Sequence, residues 1–118
     1  MSKSFLIPES KQLEALASGL RDVYRLLAEY LGDLNSVPDF KRHITVTRKQ
    51  LADYLRSHPE LAELHISDNR AAKFHEGPVL ERVDGKYRVY ESDHGRPWNT
   101  KEFNQLAEAA ATYLMWGW

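Results

Sequence analysis

The stretch Pro78-Val-Leu-Glu-Arg-Val-Asp-Gly-Lys-Tyr-Arg-Val-Tyr-Glu91 decides the fold class of this chain. Two segments of alternating apolar and polar residues flank Asp84-Gly85. An Asp-Gly pair in that setting favours a type I′ turn, because both turn positions need a positive φ. The sequence therefore predicts an antiparallel β-hairpin over residues 78 to 91. Its predicted register pairs Glu81 with Arg88 and Val79 with Tyr90.

The opposite face of the hairpin carries Leu80, Tyr87 and Val89, and we expect that face to pack on helices. An isolated two-stranded hairpin is only marginally stable in water. A third strand is therefore expected, with residues 5–7 and residues 44–46 as the two candidates.

A long N-terminal helix is predicted before the hairpin. Apolar residues recur at spacings of three and four from Leu13 to Leu31, which draws one apolar stripe. Pro8 suits the first turn of such a helix, and Gly32 suits its C-terminal stop.

One or two short helices are predicted in the middle of the chain. Thr47 with Gln50 matches a capping box, and this helix ends before Pro59 because the residue before proline avoids helical geometry. Pro59 then opens a shorter helix through Leu64. Residues 67–77 fit either one more short helix or a strand.

The last helix follows a loop from Ser92 to Asn99. Asn99 is a good N-cap, with Glu102 at the third helical position. The elements together predict a single α+β domain over residues 1–118: a long N-terminal helix, one or two short middle helices, an antiparallel hairpin of two to three strands and a C-terminal helix.

Composition excludes several classes of protein. The 16 Lys and Arg residues nearly balance the 17 Asp and Glu residues, so the basic excess typical of a nucleic-acid binder is absent and nucleic acid is an unlikely partner. The chain has no cysteine, which excludes disulfides, thiolate metal sites and a cysteine nucleophile. No apolar run approaches the ~20 residues of a membrane helix. We expect a cytoplasmic protein without a membrane partner.

The sequence shows no recognisable active site. None of the five histidines (43, 58, 65, 75 and 94) has a paired metal-ligand spacing, and no HExxH occurs. No glycine-rich phosphate loop and no GxSxG motif is present. The hairpin turn explains Asp84 and Gly85, and cross-strand pairing explains Glu81 and Arg88, without a metal. We therefore expect no enzyme activity, no metal and no cofactor.

Two segments are candidates for binding. The basic residues of 41–49, which are Lys41, Arg42, His43, Arg48 and Lys49, fit either a solvated surface or contact with phosphates. The segment from Glu91 to Trp98 combines acids, a histidine, an arginine and a tryptophan in one predicted loop. Trp and Arg are enriched among interface hot spots. The predicted partner-binding residues are Glu91, Asp93, His94, Arg96 and Trp98.

The segment from Gly85 to Trp116 combines a strand with aromatics (Tyr87, Tyr90), an acidic residue and a glycine after it (Glu91, Gly95), and a predicted capped helix after Asn99. This plan resembles small immunity proteins of bacterial polymorphic toxin and contact-dependent inhibition systems. It departs from the family's Glu-Arg-Gly-like turn at Glu91-Ser-Asp-His-Gly95. The resemblance implies a protein that binds one cognate toxin and blocks it without catalysis.

Three functions follow from these observations. The first is a toxin inhibitor acting by occlusion. If the toxin is a nuclease domain with a basic groove, Glu91 and Asp93, with Glu60, Glu63 and Asp68, would supply a complementary acidic surface. The second is a small phage or bacterial adaptor that binds protein or nucleic acid through 41–49. The third is a minimal hydrolase using Asp93 and His94.

Overall fold

The computed structural model describes residues 7–37, 39–66, 77–93 and 96–116. Within those ranges, helices precede and follow a three-stranded antiparallel sheet, so the predicted α+β class is confirmed. The helices are α1 (Glu9–Ser18), α2 (Leu20–Leu31), α3 (Arg48–Ser57), α4 (Pro59–Glu63) and α5 (Leu106–Leu114), with 3₁₀ turns at Leu34–Ser36 and Phe40–His43. The strands are β1 (Gly77–Val83), β2 (Lys86–Asp93) and β3 (Arg96–Phe103), in the spatial order β1-β2-β3.

The hairpin of β1 and β2 has the predicted turn and the predicted register. Asp84 and Gly85 have φ angles of 50° and 77°, which is the double positive φ of a type I′ turn. Glu81 lies opposite Arg88 and Val79 opposite Tyr90. On the other face, Leu80 and Val89 are fully buried in the main core.

The third strand comes from a segment that the sequence predicts as loop and helix. Arg96–Phe103 pairs antiparallel with β2, whereas residues 44–46 are extended but unassigned to the sheet. Of the other candidate segment, Ile7 is described and is not in a strand, and residues 5 and 6 lie outside the described residues. The C-terminal helix begins at Leu106 rather than at Asn99.

Asn99 lies in a β-bulge of β3 and not, as the sequence predicts, at the N-cap of a helix. Two steps along β2, from Val89 to Glu91, correspond to three steps along β3, from Lys101 to Trp98. Asn99 lies in that extra step with a φ of 56°. Asparagine adopts this left-handed conformation more readily than most residues, so the same residue type serves a bulge or a cap. The pairing with β2 selects the bulge.

The predicted long N-terminal helix is broken at Gly19 into α1 and α2. Gly19 has φ 123° and ψ 172°, a conformation that is essentially restricted to glycine. Its N–H still bonds to the carbonyl oxygens of Ala15 and Leu16, at 3.0 and 3.2 Å. Gly19 therefore ends one helix and starts the next.

The middle helices begin where the sequence predicts. Gln50 N–H donates to Thr47 Oγ1 at 3.1 Å and Thr47 N–H donates to Gln50 Oε1 at 2.7 Å, which completes the capping box of α3. Pro59 opens α4. The two predictions for residues 67–77 fall almost entirely outside the described residues, and Gly77 is the first residue of β1.

Helix α5 is the centre of the core. Its residues Ala109, Ala110 and Ala111 are fully buried, and the helix contacts α3, α4 and all three strands. Alanine side chains allow such close approach because they add little bulk. Within the described residues, no helix is long and apolar enough to cross a membrane.

One buried polar residue ties the N-terminus to the middle of the chain. The fully buried Gln12 donates through Nε2 to the Ile7 carbonyl at 2.8 Å. Its Oε1 accepts from Thr45 N–H at 2.7 Å and from Val46 N–H at 3.1 Å. The Gln12 amide thus holds residues 44–46 in the extended conformation without a partner strand.

Candidate functional site

The predicted recognition loop is built from the paired ends of β2 and β3. Glu91 lies opposite Trp98, Ser92 opposite Pro97 and Asp93 opposite Arg96. Two residues, His94 and Gly95, connect the strands, and both lie outside the described residues. We call this region, residues 91–93 and 96–98, the hairpin end.

The four described candidate residues share one face of the sheet. Residues directly opposite each other in an antiparallel pair lie on the same face, as do residues two apart along one strand. Glu91, Asp93, Arg96 and Trp98 therefore lie on the side that also carries Val89. The buried Val89 faces the helices. The side chains of the hairpin end therefore lie on the same face of the sheet as the helices, beyond the core.

The Glu91 carboxylate is hydrogen-bonded within the chain. The Trp116 indole N–H donates to Glu91 Oε1 at 2.5 Å. Both side chains are partly buried. Glu91 thus fixes Trp116, two residues after the end of α5, against the sheet. The sequence did not indicate this role because the two residues are 25 apart.

Trp98 is directed to the solvent. It is 55% exposed, and its strand neighbours Arg96 and Pro97 are exposed as well. An alternative role for this side chain, as part of the core, is therefore excluded. A tryptophan exposed on a rigid strand is an available contact surface.

The outer edge of β3 is exposed over Arg96 to Glu102, and only Phe103 is partly covered. An exposed edge can accept a further strand, and natural proteins block this with proline, lysine and bulges. All three occur here, as Pro97, Lys101 and the bulge at Asn99. Contact with a partner through side chains is therefore favoured over strand addition.

The other face of the sheet carries a polar row. Tyr90 Oη donates to Glu81 Oε2 at 3.1 Å, and Arg88 lies 3.9 Å from Glu102 in an exposed ion pair. Burial, followed by the charge of Glu81, raises the pKa of Tyr90 above its ordinary value. These contacts account for Glu81, Arg88 and Glu102 as partners across the strands.

The remaining acidic candidates do not form one surface with the hairpin end. Glu63 pairs with Arg82 at 2.6 Å, Glu60 lies exposed in the first turn of α4, and Asp68 lies outside the described residues. Asp93 is thus the acidic candidate that the structure keeps at the surface of the hairpin end.

His58 and His65 both contact neighbouring groups of the fold. His58 Nδ1 lies 2.9 Å from the Tyr54 carbonyl and its ring stacks on the Tyr54 ring at 4.4 Å. His65 Nε2 lies 2.7 Å from the Ala17 carbonyl. Among the described residues, no group of three His, Asp or Glu side chains is placed to hold a metal ion. The Asp93–His94 pair falls partly outside those residues.

The comparisons with known proteins return nothing: no family model, no curated protein and no solved structure matches this chain.

Proposed function

We propose that this chain is a non-catalytic binding protein that docks a protein partner through its hairpin end. The observation that carries the proposal is the 55% exposure of Trp98 on an ordered strand. Tryptophan and arginine are the residue types most enriched among interface hot spots, and Arg96 stands two positions from Trp98 on the same face. Asp93 opposite Arg96 supplies a polar rim.

The proposed partner is a bacterial toxin that the chain neutralises by occlusion, as an immunity protein does. The strand with Tyr87 and Tyr90, followed by Glu91, supports this identity. The helix capped by Asn99 in that pattern does not, because Asn99 lies in β3 and the last helix begins at Leu106. The edge of β3 supports occlusion by a rigid surface, because Pro97 and the Asn99 bulge disfavour strand exchange with the partner. A rigid exposed tryptophan fits a concave site, such as the active-site groove of an enzyme.

The test uses the protein encoded by the reading frame immediately upstream of this chain. We expect that protein to arrest growth of a bacterial host, co-expression of this chain to restore growth, and the two purified proteins to form a stoichiometric complex. The absence of both restored growth and a complex would contradict the toxin assignment.

Variants then locate the interface. Trp98→Ala should weaken the complex by about 30-fold or more, the effect of losing a central anchor worth about 2 kcal/mol. Leu64→Ala is the matched control, because Leu64 is another exposed apolar residue, at 74% exposure. Equal affinities of both variants and the wild type would place the interface elsewhere. Since Trp98 is exposed, the thermal unfolding of Trp98→Ala should stay close to that of the wild type.

A further inference from the structure

A cleft between α3 and α5, away from the hairpin end, has the size of a ligand site. Its volume is about 430 Å³, which lies within the range of sites that bind small ligands or individual side chains. The side chains of both helices line it, and Phe103 at the end of β3 contributes one wall.

Part of the cleft is apolar. Ala52 and Thr112 are buried, and Phe103 is half-buried. The Thr112 hydroxyl already donates to the Glu108 carbonyl oxygen at 3.0 Å. This region therefore offers little unused hydrogen-bonding capacity and favours an apolar side chain of a ligand.

The charged residues of the cleft are unequally balanced. Arg56 lies 2.5 Å from Asp53 and 3.6 Å from Glu108, so two carboxylates surround one guanidinium and leave one excess negative charge. Arg48 and Lys49 also line the cleft, and neither has an ion-pair partner among the described residues.

The unpaired basic residues and the paired arginine lie at opposite ends of α3. Arg48 and Lys49 occupy its first turn, and Arg56 follows Arg48 by eight residues, or roughly 12 Å of helix. One end of the cleft is thus net positive, and the other end, where two carboxylates face one guanidinium, is net negative.

We propose that this cleft docks an acidic peptide segment of a protein partner. The segment places an apolar side chain against Ala52, Phe103 and Thr112, and a carboxylate against Arg48 and Lys49. Charge complementarity selects the acidic peptide. The carboxylates of Asp53 and Glu108 at the other end disfavour the continuous row of charges of a nucleic-acid backbone. A peptide can instead place one carboxylate at Arg48 and Lys49 and keep its other charges in solvent. This site does not depend on the function proposed for the hairpin end.

The experiment titrates the ¹⁵N-labelled full chain with three short peptides, followed by amide chemical shifts. The probe is acetyl-Glu-Phe-Glu-amide, and its matched controls are acetyl-Gln-Phe-Gln-amide and acetyl-Glu-Ala-Glu-amide. We expect saturable shifts at Ala52, Phe103 and Thr112 with the probe. Each control should bind at least about fivefold more weakly, because it lacks either the charges or the apolar side chain.

Two variants test the positive end of the cleft. The double change Arg48→Gln with Lys49→Gln should weaken binding of the probe about fivefold. The double change Arg21→Gln with Arg25→Gln removes the same charge from exposed residues of α2 and should leave binding unchanged.

Three outcomes would overturn the proposal. They are shifts that do not saturate or that lie outside the cleft, equal binding of the probe and the neutral control, and stronger binding of a short oligothymidylate at the same amides. The last result would assign the cleft to nucleic acid.

Discussion

The hydrogen bond from Trp116 to Glu91 supports the sharpest stability prediction. Removing either partner also removes the stabilisation that the other provides. A hydrogen bond to a charged acceptor contributes about 1.5–3 kcal/mol. Because both side chains are only partly buried, we expect a coupling at the lower end of that range, about 1.5 kcal/mol.

The perturbation is a double-mutant cycle of Glu91→Ala and Trp116→Phe. The cycle cancels the loss of indole packing, which would otherwise add to the effect of Trp116→Phe. Unfolding entropy scales with length and is about 0.25 kcal/mol/K for a chain of this size. A loss of 1.5 kcal/mol therefore corresponds to a Tm about 6 °C lower. The assay is thermal unfolding followed by circular dichroism for the four proteins of the cycle.

The matched control cycle combines Glu102→Ala with Trp116→Phe. Glu102 is also a strand glutamate, but its partner is Arg88 at 3.9 Å and it is 62% exposed, so the two changes should be additive. A Glu91–Trp116 coupling below about 0.5 kcal/mol would show that the bond contributes nothing measurable. The Glu91 carboxylate would then be available for contact with a partner.

Two further changes test the framework that supports the site. Gln12→Leu should lower the free energy of unfolding by about 3 kcal/mol, because the buried Ile7 carbonyl and Val46 N–H lose their partner. Urea denaturation measures this loss. A loss under about 1 kcal/mol would mean that water replaces the amide. Gly19→Ala should cost about 1–3 kcal/mol, since an alanine is strained at a φ of 123°. The nearest atom to a Cβ added at Gly19 is 3.8 Å away, so the cost arises from the backbone alone. Unchanged thermal unfolding of the variant would indicate that α1 and α2 form one continuous helix.

The parts of the fold that follow from local chemistry were predictable from the sequence. The turn at Asp84-Gly85 and the capping box of Thr47 depend on residues a few positions apart. Their geometry follows from backbone sterics and from nearby hydrogen bonds. Gly19 also carried a local signal, because an isolated glycine inside a helical pattern can mark a break. The continuous apolar stripe on both sides of it hid that signal.

Strand β3 was not predictable in the same way. Its sequence, Arg96-Pro-Trp-Asn-Thr-Lys-Glu-Phe103, lacks alternation of apolar and polar residues, because its outer edge and most of its side chains are exposed. The strand forms because β2 offers an edge to pair with, which is a non-local interaction. One signal was present: the short connection His94-Gly95 contains glycine and links strand to strand.

The sequence singled out the residues of the hairpin end as a loop, but it showed neither their pairing across two strands nor which of their charges the fold itself uses. The residue types Glu91, Asp93, Arg96 and Trp98 are those of a recognition surface, and the register brings them to one face. The Glu91 carboxylate is nevertheless used by Trp116, 25 residues away. A contact at that distance in the chain leaves no pattern in the sequence.

The charges that remain at the hairpin end change the kind of partner that the proposal implies. Arg96 faces Asp93 across the strands, and Lys101 lies further along the same side of β3, opposite Val89. A surface of one exposed acid and two exposed bases does not complement a strongly basic groove, and it steers a charged partner only weakly. Recognition then depends on the shape and apolar area of Trp98, which acts at short range and mainly slows dissociation. The most suitable toxin surface is therefore a pocket that admits an indole ring and carries charges of both signs at its rim.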